Sequence, residues 1–286
     1  MILEHTINKG SQFLKKQNIS SHELDAEIIL SDIMGVTREF LIINNHANIS
    51  KKIIKKYDLA IKRRIKKEPV AYITGKKEFW GEDFLVNRAT LIPRPETELL
   101  IYKVVDFFKN KKINILDIGT GSGCILLSVL KELNRSYGTG IDISAKAINM
   151  AKKNSKNLNL INRSKFKVFD LNKFNIGKYD LIISNPPYIP SKDIKKLSKD
   201  ITDYEPRFAL DGGHDGLDLI KKVIYKSSVL LKRSGIFALE IGFGQYRKVS
   251  EILTCYNFRE FSKIYDCNSN VRCIISTKID FFKIKR

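Results

Sequence analysis

The sequence predicts an α/β fold: a mainly parallel, doubly wound sheet with one strand reversed near its end, preceded by a small helical domain that a β-hairpin joins to it. Three observations carry that prediction. Short apolar runs alternate with amphipathic stretches from residue 113 to about residue 255, the pattern of parallel strands and crossover helices. The last two extended runs, 259–264 and 271–276, have no helix between them, so a short turn must reverse the chain there. The first seventy or so residues show helical spacing without strand alternation. Hydrophobic residues make up 43% of the 286, enough apolar surface to offset chain entropy, so disorder over most of the length is excluded.

Along the chain, Leu24, Ile28 and Ile29, with Ala26 and Leu30 nearby, mark a helix that Ser21 can cap. A second helix runs from Ser50 to about Lys67, with Ile53, Ile54, Tyr57, Ile61 and Ile65 on one stripe. Its other face carries Lys51, Lys52, Lys55, Lys56, Lys62, Arg63, Arg64, Lys66 and Lys67, read as a solvated face ahead of a contact with a phosphate-bearing or acidic partner. Pro69 ends this region. Extended pieces 78–80 and 84–86 around Gly81-Glu82-Asp83 suggest the hairpin. After Pro95 a helix is expected, with Leu100, Val104, Phe107 and Phe108 on one face and Glu96 and Glu98 in its first turn, where the dipole favours acids. Strands follow at 113–117, 139–143, 166–170, 180–184 and 236–241, with helices at 124–133, 145–158, 215–231 and 246–255. The predicted boundaries are a helical domain 1–72, a hairpin linker 73–92 and an α/β domain 93–286.

Lys and Arg number 51 against 31 Asp and Glu, a net charge of +20. Such charge invites a nucleic-acid or acidic partner. Lys far outnumbers Arg, however, and Ile and Asn are abundant, so biased composition accounts for it as well. Cys124, Cys255, Cys267 and Cys273 form no Cys-x-x-Cys pair and have no histidine at ligand spacing, so neither a metal site nor a disulfide framework is expected. No apolar window reaches about 18 residues, and the first residues lack a cationic segment followed by an apolar one; a cytoplasmic protein without a membrane span is expected.

Asp117-Ile118-Gly119-Thr120-Gly121-Ser122-Gly123 joins the first strand of the large domain to its helix. Alternate glycines permit tight turning and let a ligand approach the backbone. The third glycine comes one position earlier than in the dinucleotide fingerprint, which disfavours a pyrophosphate ligand. Asp142 closes the second strand nineteen residues past Gly123, where an acid binds a ribose diol. Together they point to a nucleoside-containing cofactor held by Gly119, Thr120, Gly121, Ser122, Gly123 and Asp142; a turn made for tight packing is the other reading of the loop. Asp170, at the end of the third strand, can accept from an adenine amino group with Leu171 walling the ring, or it can simply cap the chain turn.

Asn185-Pro186-Pro187-Tyr188 follows directly on the strand 180–184. Two prolines remove two N–H donors and fix φ, and Asn185 is pushed toward extended backbone by the proline after it. Asn185 Oδ1 and the Pro186 carbonyl can then receive both hydrogens of one planar NH₂ group, with the Tyr188 ring stacked on it. An amide or aromatic amine nitrogen has a delocalised lone pair; two carbonyl acceptors raise its electron density and aim it at an electrophilic methyl carbon. Asn185, Pro186 and Tyr188 are the candidate catalytic residues, and Asn185 through Tyr188 the candidate substrate clamp.

The glycine loop and this tetrapeptide resemble those of class I S-adenosylmethionine-dependent N-methyltransferases. Residues 68–75 (Glu-Pro-Val-Ala-Tyr-Ile-Thr-Gly), 79–81 (Phe-Trp-Gly), 91–98 (Leu-Ile-Pro-Arg-Pro-Glu-Thr-Glu) and 205–213 (Glu-Pro-Arg-Phe-Ala-Leu-Asp-Gly-Gly) narrow the likeness. From about residue 68 onward the chain resembles the peptide chain release factor N5-glutamine methyltransferase family of HemK/PrmC type. The resemblance implies a Rossmann-like class I methyltransferase domain with a seven-stranded sheet, and a substrate-recognition role for the N-terminal helices. It also implies transfer of a methyl group from S-adenosyl-L-methionine to the side-chain amide of the glutamine in the Gly-Gly-Gln loop of class-1 release factors. By that resemblance the glycine loop, Asp142, Leu171 and Asn185 hold the cofactor; many relatives have tryptophan where Leu171 stands. Direct nucleic-acid binding is not required, and a monomer is expected. A ribosomal-protein glutamine methyltransferase is the nearest alternative, although its family has Pro-Arg-Ser-Pro where this chain has Pro93-Arg94-Pro95-Glu96. An adenine-N6 or guanine-N2 nucleic-acid methyltransferase is more distant, since no separate target-recognition module is evident.

Overall fold

The computed structural model describes residues 2–279; Met1 and residues 280–286, the two extremes of the predicted domains, lie outside the described residues. The chain divides into two compact units, one formed by the residues up to Lys76 together with Ser198–Tyr204, the other by Lys77–Leu197 and the chain from Glu205 onward.

The first unit contains helices α1 (Leu3–Lys15), α2 (His22–Met34), α3 (Arg38–Ile43), α4 (Lys51–Ile65) and α5 (Val70–Thr74). Ser50 caps α4, its hydroxyl accepting from the Ile53 N–H at 3.3 Å. Ser21 occupies the N-cap position of α2 without a side-chain hydrogen bond, and Gly35 ends that helix in the left-handed region at φ +68°. Leu3, Leu14, Ala26, Ile29, Leu30, Leu41, Tyr57 and Ile61 are buried together. The basic face of α4 departs from expectation at two places. Arg64 is buried, its Nε donating to Asp25 Oδ2 at 2.7 Å and its Nη1 to the Glu68 carbonyl at 3.2 Å. Arg63 forms a two-pronged pair with Glu68, both contacts at 2.8 Å. Helical rotation places Arg64 within the apolar stripe, where it ties α4 to α2, whereas Arg63 lies on the exposed side and reaches back from the helix end to the chain that follows.

Strands β1 (Lys76–Phe79) and β2 (Glu82–Leu85) form the hairpin. Its two-residue turn is Trp80-Gly81, rather than 81–83 as the sequence predicts, with both residues at positive φ (53° and 70°) as a twist-matched hairpin turn requires. Trp80 is held there by Glu98, which accepts from its backbone N–H at 2.8 Å, and by Glu132, which accepts from its indole N–H at 2.8 Å. Next come α6 (Glu98–Phe108), β3 (Asn114–Ile118), α7 (Cys124–Glu132), β4 (Tyr137–Asp142), α8 (Ala145–Asn157), β5 (Ser164–Val168) and β6 (Tyr179–Ser184). The short α9 (Lys199–Thr202) falls in the segment assigned to the first unit; α10 (Asp218–Leu230), β7 (Leu231–Glu240), α11 (Tyr246–Cys255), β8 (Phe258–Tyr265) and β9 (Val271–Lys278) complete the second. Phe107, expected on the buried face of α6, is exposed instead and rests against Phe108 and Phe261; Ile101 takes the buried place.

The seven-stranded sheet has the order β5-β4-β3-β6-β7-β9-β8, with β9 antiparallel to both neighbours and the other pairings parallel. Strand alternation sorts side chains to two cores: Ile115, Leu181, Ile183, Ile236 and Ala238 join one with α6, α7 and α8, while Leu116, Ile182, Phe237 and Leu239 join the other with α10 and α11. Because both faces are covered, the central strands read as continuous apolar runs. Among the described residues no helix is long and apolar enough to cross a membrane.

Candidate active site

The strand order reverses between β3 and β6, whose last pairing is Ile118 with Ser184. Gly119 and Asn185 therefore leave the sheet side by side at its carboxyl edge, where open α/β sheets take ligands. A cleft of about 290 Å³ opens there, its walls largely apolar. Of the sequence-predicted residues, Gly119, Gly121, Asp142, Asp170, Leu171, Asn185, Pro186 and Pro187 line it.

Gly119 and Gly121 adopt φ +75° and +55°, and a Cβ on Gly119 would meet nothing within 4 Å, so glycine both permits the turn and leaves open space beside the backbone. Asp142 anchors the loop as well as facing the cleft: its Oδ2 accepts from the Gly121 N–H at 3.0 Å and its Oδ1 from the Ser144 N–H at 2.9 Å. Burial raises its pKa, and these backbone donors oppose the rise. Thr120, Ser122 and Gly123 are not part of the cleft wall. Thr120 is buried and donates to Asp117 Oδ2 at 2.6 Å. Ser122 is buried too, and a Cβ on Gly123 would crowd Ala151, Leu127 and Phe166 at 3.1–3.2 Å, so these positions serve the packing of the turn. Asp117 lies fully inside; burial pushes its carboxyl up to about 7 against the Thr120 hydrogen bond.

β5 ends at Val168, so Asp170 lies just beyond the strand rather than closing it. Its Oδ1 accepts from the Asn172 N–H at 2.9 Å, which is the capping role allowed for it above, and it faces the cleft at the same time. Phe169, which the sequence reading passed over, adds an aromatic wall, its ring edge-on to Phe174 at 5.2 Å.

The tetrapeptide is fastened from beneath. Asn185 Nδ2 donates to Thr97 Oγ1 at 3.3 Å, and the Thr97 hydroxyl donates to Glu240 Oε2 at 2.7 Å. Among the described residues no hydrogen bond uses Asn185 Oδ1 or the Pro186 carbonyl. Tyr188 is not part of the cleft wall: its hydroxyl donates to Glu240 Oε1 at 3.4 Å and its ring lies under the Arg272 guanidinium at 5.8 Å. Burial pushes the phenol up to about 12, with the Glu240 charge adding to the rise. Glu240 is itself buried at the end of β7, and burial pushes its carboxyl up to about 7 while Thr97 and Arg272 pull it down. Downstream, the Ile189 N–H donates to the Leu210 carbonyl and the Gly212 N–H to the Ile189 carbonyl, zipping residues 205–213 alongside the exit from the tetrapeptide. Buried Glu205 closes that zip, accepting from Arg94 at 2.5 Å and from the Ile92 N–H at 3.2 Å.

Thr97, Glu205 and Glu240 were missed as site residues. Thr97 and Glu205 lie within motifs recognised whole, and a lone acid at the end of the apolar run 236–241 is a signal that could have singled out Glu240. The site that results is a mostly apolar cleft lined by a carboxylate-braced glycine loop and by Asn185 and Pro186, whose carbonyl oxygens accept no hydrogen bond among the described residues. It can seat a nucleoside beside an NH₂-bearing group.

Comparison with known proteins adds a family. The PrmC N-terminal domain model matches residues 5–75 and the Methyltransferase small domain model matches residues 96–238. A release factor glutamine methyltransferase of Clostridium acetobutylicum is 40% identical over 257 residues, 88% of this chain and 90% of the relative. One from Bradyrhizobium diazoefficiens is 38% identical over 245 residues, 84% of this chain and 82% of the relative. Among solved structures, a methyltransferase from Pyrococcus furiosus aligns with a TM-score of 0.52 at 17% identity, covering 71% of this chain and 91% of its own, a likeness of fold.

Proposed function

The chain belongs to the release factor glutamine methyltransferase family, and from that premise we propose that it methylates the N5 side-chain amide of the glutamine in the Gly-Gly-Gln motif of class-1 release factors, with S-adenosyl-L-methionine as donor. The observation that carries the reading is the pair Asn185 Oδ1 and Pro186 carbonyl, which accept no hydrogen bond among the described residues and belong to residues that line the cleft. A carboxamide offers two N–H donors in one plane, and this pair takes both.

The residues present fit the cofactor. Gly119 and Gly121 leave room at the backbone, Asp142 presents a carboxylate suited to a ribose diol, Asp170 can accept from an adenine amino group, and Phe169 with Leu171 supplies the apolar wall. When bound, its sulfonium supplies an electrophilic methyl carbon. The protein's part is orientation and electrostatics. Asn185 and Pro186 hold the glutamine nitrogen flat, draw electron density onto it through its N–H bonds and fix the approach. The nitrogen turns acidic as it is alkylated and loses one proton, so no strong base is needed. Tyr188 contributes by bracing the tetrapeptide through Glu240 rather than by standing in the cleft wall.

We assign residues 1–72 to recognition of the release factor, residues 73–92 to the hairpin linker and residues 93–286 to methyl transfer. We further propose that a single copy acts without nucleic acid, in the cytoplasm, where its translation-factor substrate would be met. The test is the mass of the Gly-Gly-Gln peptide after incubating a class-1 release factor with the full chain and cofactor. A gain of one methyl group localised to the glutamine is expected; methyl groups appearing in RNA or a ribosomal protein instead would overturn the assignment.

A further inference from the structure

We infer that Thr97 and Glu240 form a positioning relay that sets which end of the Asn185 carboxamide faces the cleft; the inference rests on the methyl-transfer reading of that site. A carboxamide has two ends of similar size and opposite character, an acceptor oxygen and a donor NH₂. Only the oxygen can receive a hydrogen from a substrate amide, so a rotated Asn185 would present its NH₂ to another NH₂ and repel it. Packing alone distinguishes the two ends poorly, because their shapes are nearly equal.

The hydrogen bonds do distinguish them. A Thr hydroxyl has one hydrogen to give. Ionised Glu240 is purely an acceptor, and Thr97 gives it that hydrogen at 2.7 Å. What remains on Thr97 Oγ1 is lone pairs, which can engage Asn185 only through Nδ2, as they do at 3.3 Å. The oxygen is thereby turned to the cleft. The other oxygen of the same acid accepts from Tyr188 at 3.4 Å, so the first and last residues of the tetrapeptide are fastened to one carboxylate. A protonated Glu240 can donate to Thr97 instead; the Thr97 hydrogen is then free to seek Asn185 Oδ1, and the rotated carboxamide becomes the favoured one.

The groups facing Glu240 set where this exchange falls. Arg272 on β9 favours the ionised acid, Glu96 in the turn before α6 opposes it, Tyr188 and Thr97 donate to it, and Cys273 on β9 lies opposite it in the strand register. Burial is the largest influence and lifts the carboxyl to about 7. Acid therefore disarms the clamp, and turnover rises with pH through that region.

The experiment is a pH series of kcat at saturating cofactor for the wild type, Thr97→Val, Thr97→Ser and Glu240→Gln, with cofactor Kd measured alongside. Thr97→Val, nearly the same shape but with neither donor nor acceptor, is expected to lose about 10- to 100-fold in kcat with cofactor Kd unchanged. Thr97→Ser, which keeps the hydroxyl, restores it to within about threefold of wild type. The acid limb of the wild-type profile disappears in Glu240→Gln. A second readout needs no activity: the side-chain ¹⁵N amide resonances of Asn185 shift with pH near 7 in the wild type and no longer do so in Glu240→Gln. An unchanged kcat in Thr97→Val, an acid limb that persists in Glu240→Gln, or Asn185 resonances blind to pH would each overturn the relay. If the wild type leaves release-factor glutamine unmethylated, the functional reading fails, while the Asn185 resonances still decide whether the relay exists.

Discussion

At the scale of single residues, the clamp and the cofactor wall separate cleanly in what they should control. Asn185→Ala removes one of two carbonyl acceptors at the reacting nitrogen, so kcat is expected to fall about 100-fold or more while cofactor affinity changes much less. Asp142→Ala should do the reverse, weakening cofactor binding first, because that carboxylate both faces the cleft and holds the Gly121 N–H. Calorimetric cofactor titration beside single-turnover kinetics separates the two effects, and a normal cofactor Kd in Asp142→Ala would remove it from that role. Asp117 offers a different measurement. Its folded-state pKa, raised to about 7 by burial, means that the native state holds a proton the unfolded chain releases near pH 4. Its contribution to stability is thus fully present below about pH 4 and is lost as pH rises through about 7. Asp117→Asn, which still accepts the Thr120 hydroxyl, should match the wild type near pH 4 and exceed it by on the order of 4 kcal/mol at pH 8. Urea unfolding of both proteins at the two pH values checks this, and a difference independent of pH would refute it. At this scale Gly119, Asp142, Asn185 and Pro186 were legible because each is demanded by backbone geometry or by ligand chemistry. The partnership of Thr97 with Glu240, 143 residues apart, was not: only the sheet brings those positions together.

Among elements, the central strands were the most readable because helices cover both sheet faces, and an uninterrupted apolar run such as 181–183 has no solvent-facing alternation to blur it. Element ends were less so. β5 stops at Val168, and Asp170 belongs to the turn it caps, because its side chain accepts a backbone N–H that a continuing ladder would have engaged. The hairpin turn fell on Trp80-Gly81 since tertiary contacts from Glu98 and Glu132 hold an aromatic residue at a φ its own preference opposes. In α4, periodicity located the apolar stripe but not the fate of its flanking cations. Arg64 is nearly enclosed and joined to Asp25, so Arg64→Ala leaves that carboxylate buried and unpaired; a loss of about 3–5 kcal/mol is expected. The double replacement Arg64→Met with Asp25→Leu should recover most of it, because both desolvation penalties vanish together. Chemical denaturation followed by a probe in the helical unit measures both, and a larger loss in the double variant than in the single one would contradict the account.

Taken whole, the chain carries +20 charges, yet part of that excess is spent inside the first unit: Arg63 and Arg64 are paired, and Lys67 donates to the carbonyls of Gln17 and Asn18 at 2.8 and 3.3 Å. Composition announced a polycation; the fold turns several of those cations into internal ties. The segment Ser198–Tyr204 belongs to the first unit although Leu197 just before it and Glu205 just after it belong to the second, and the Tyr204 hydroxyl donates to the Lys66 carbonyl at 2.8 Å. Backbone continuity thus passes from one unit to the other three times, at 76/77, 197/198 and 204/205. A protease that severs the hairpin entrance once should leave two pieces that still co-elute on native gel filtration, and free fragments after that single cut would contradict the assignment. In the language of sewing, the thread passes three times between the two cloths, so no one snip of it lets them fall apart.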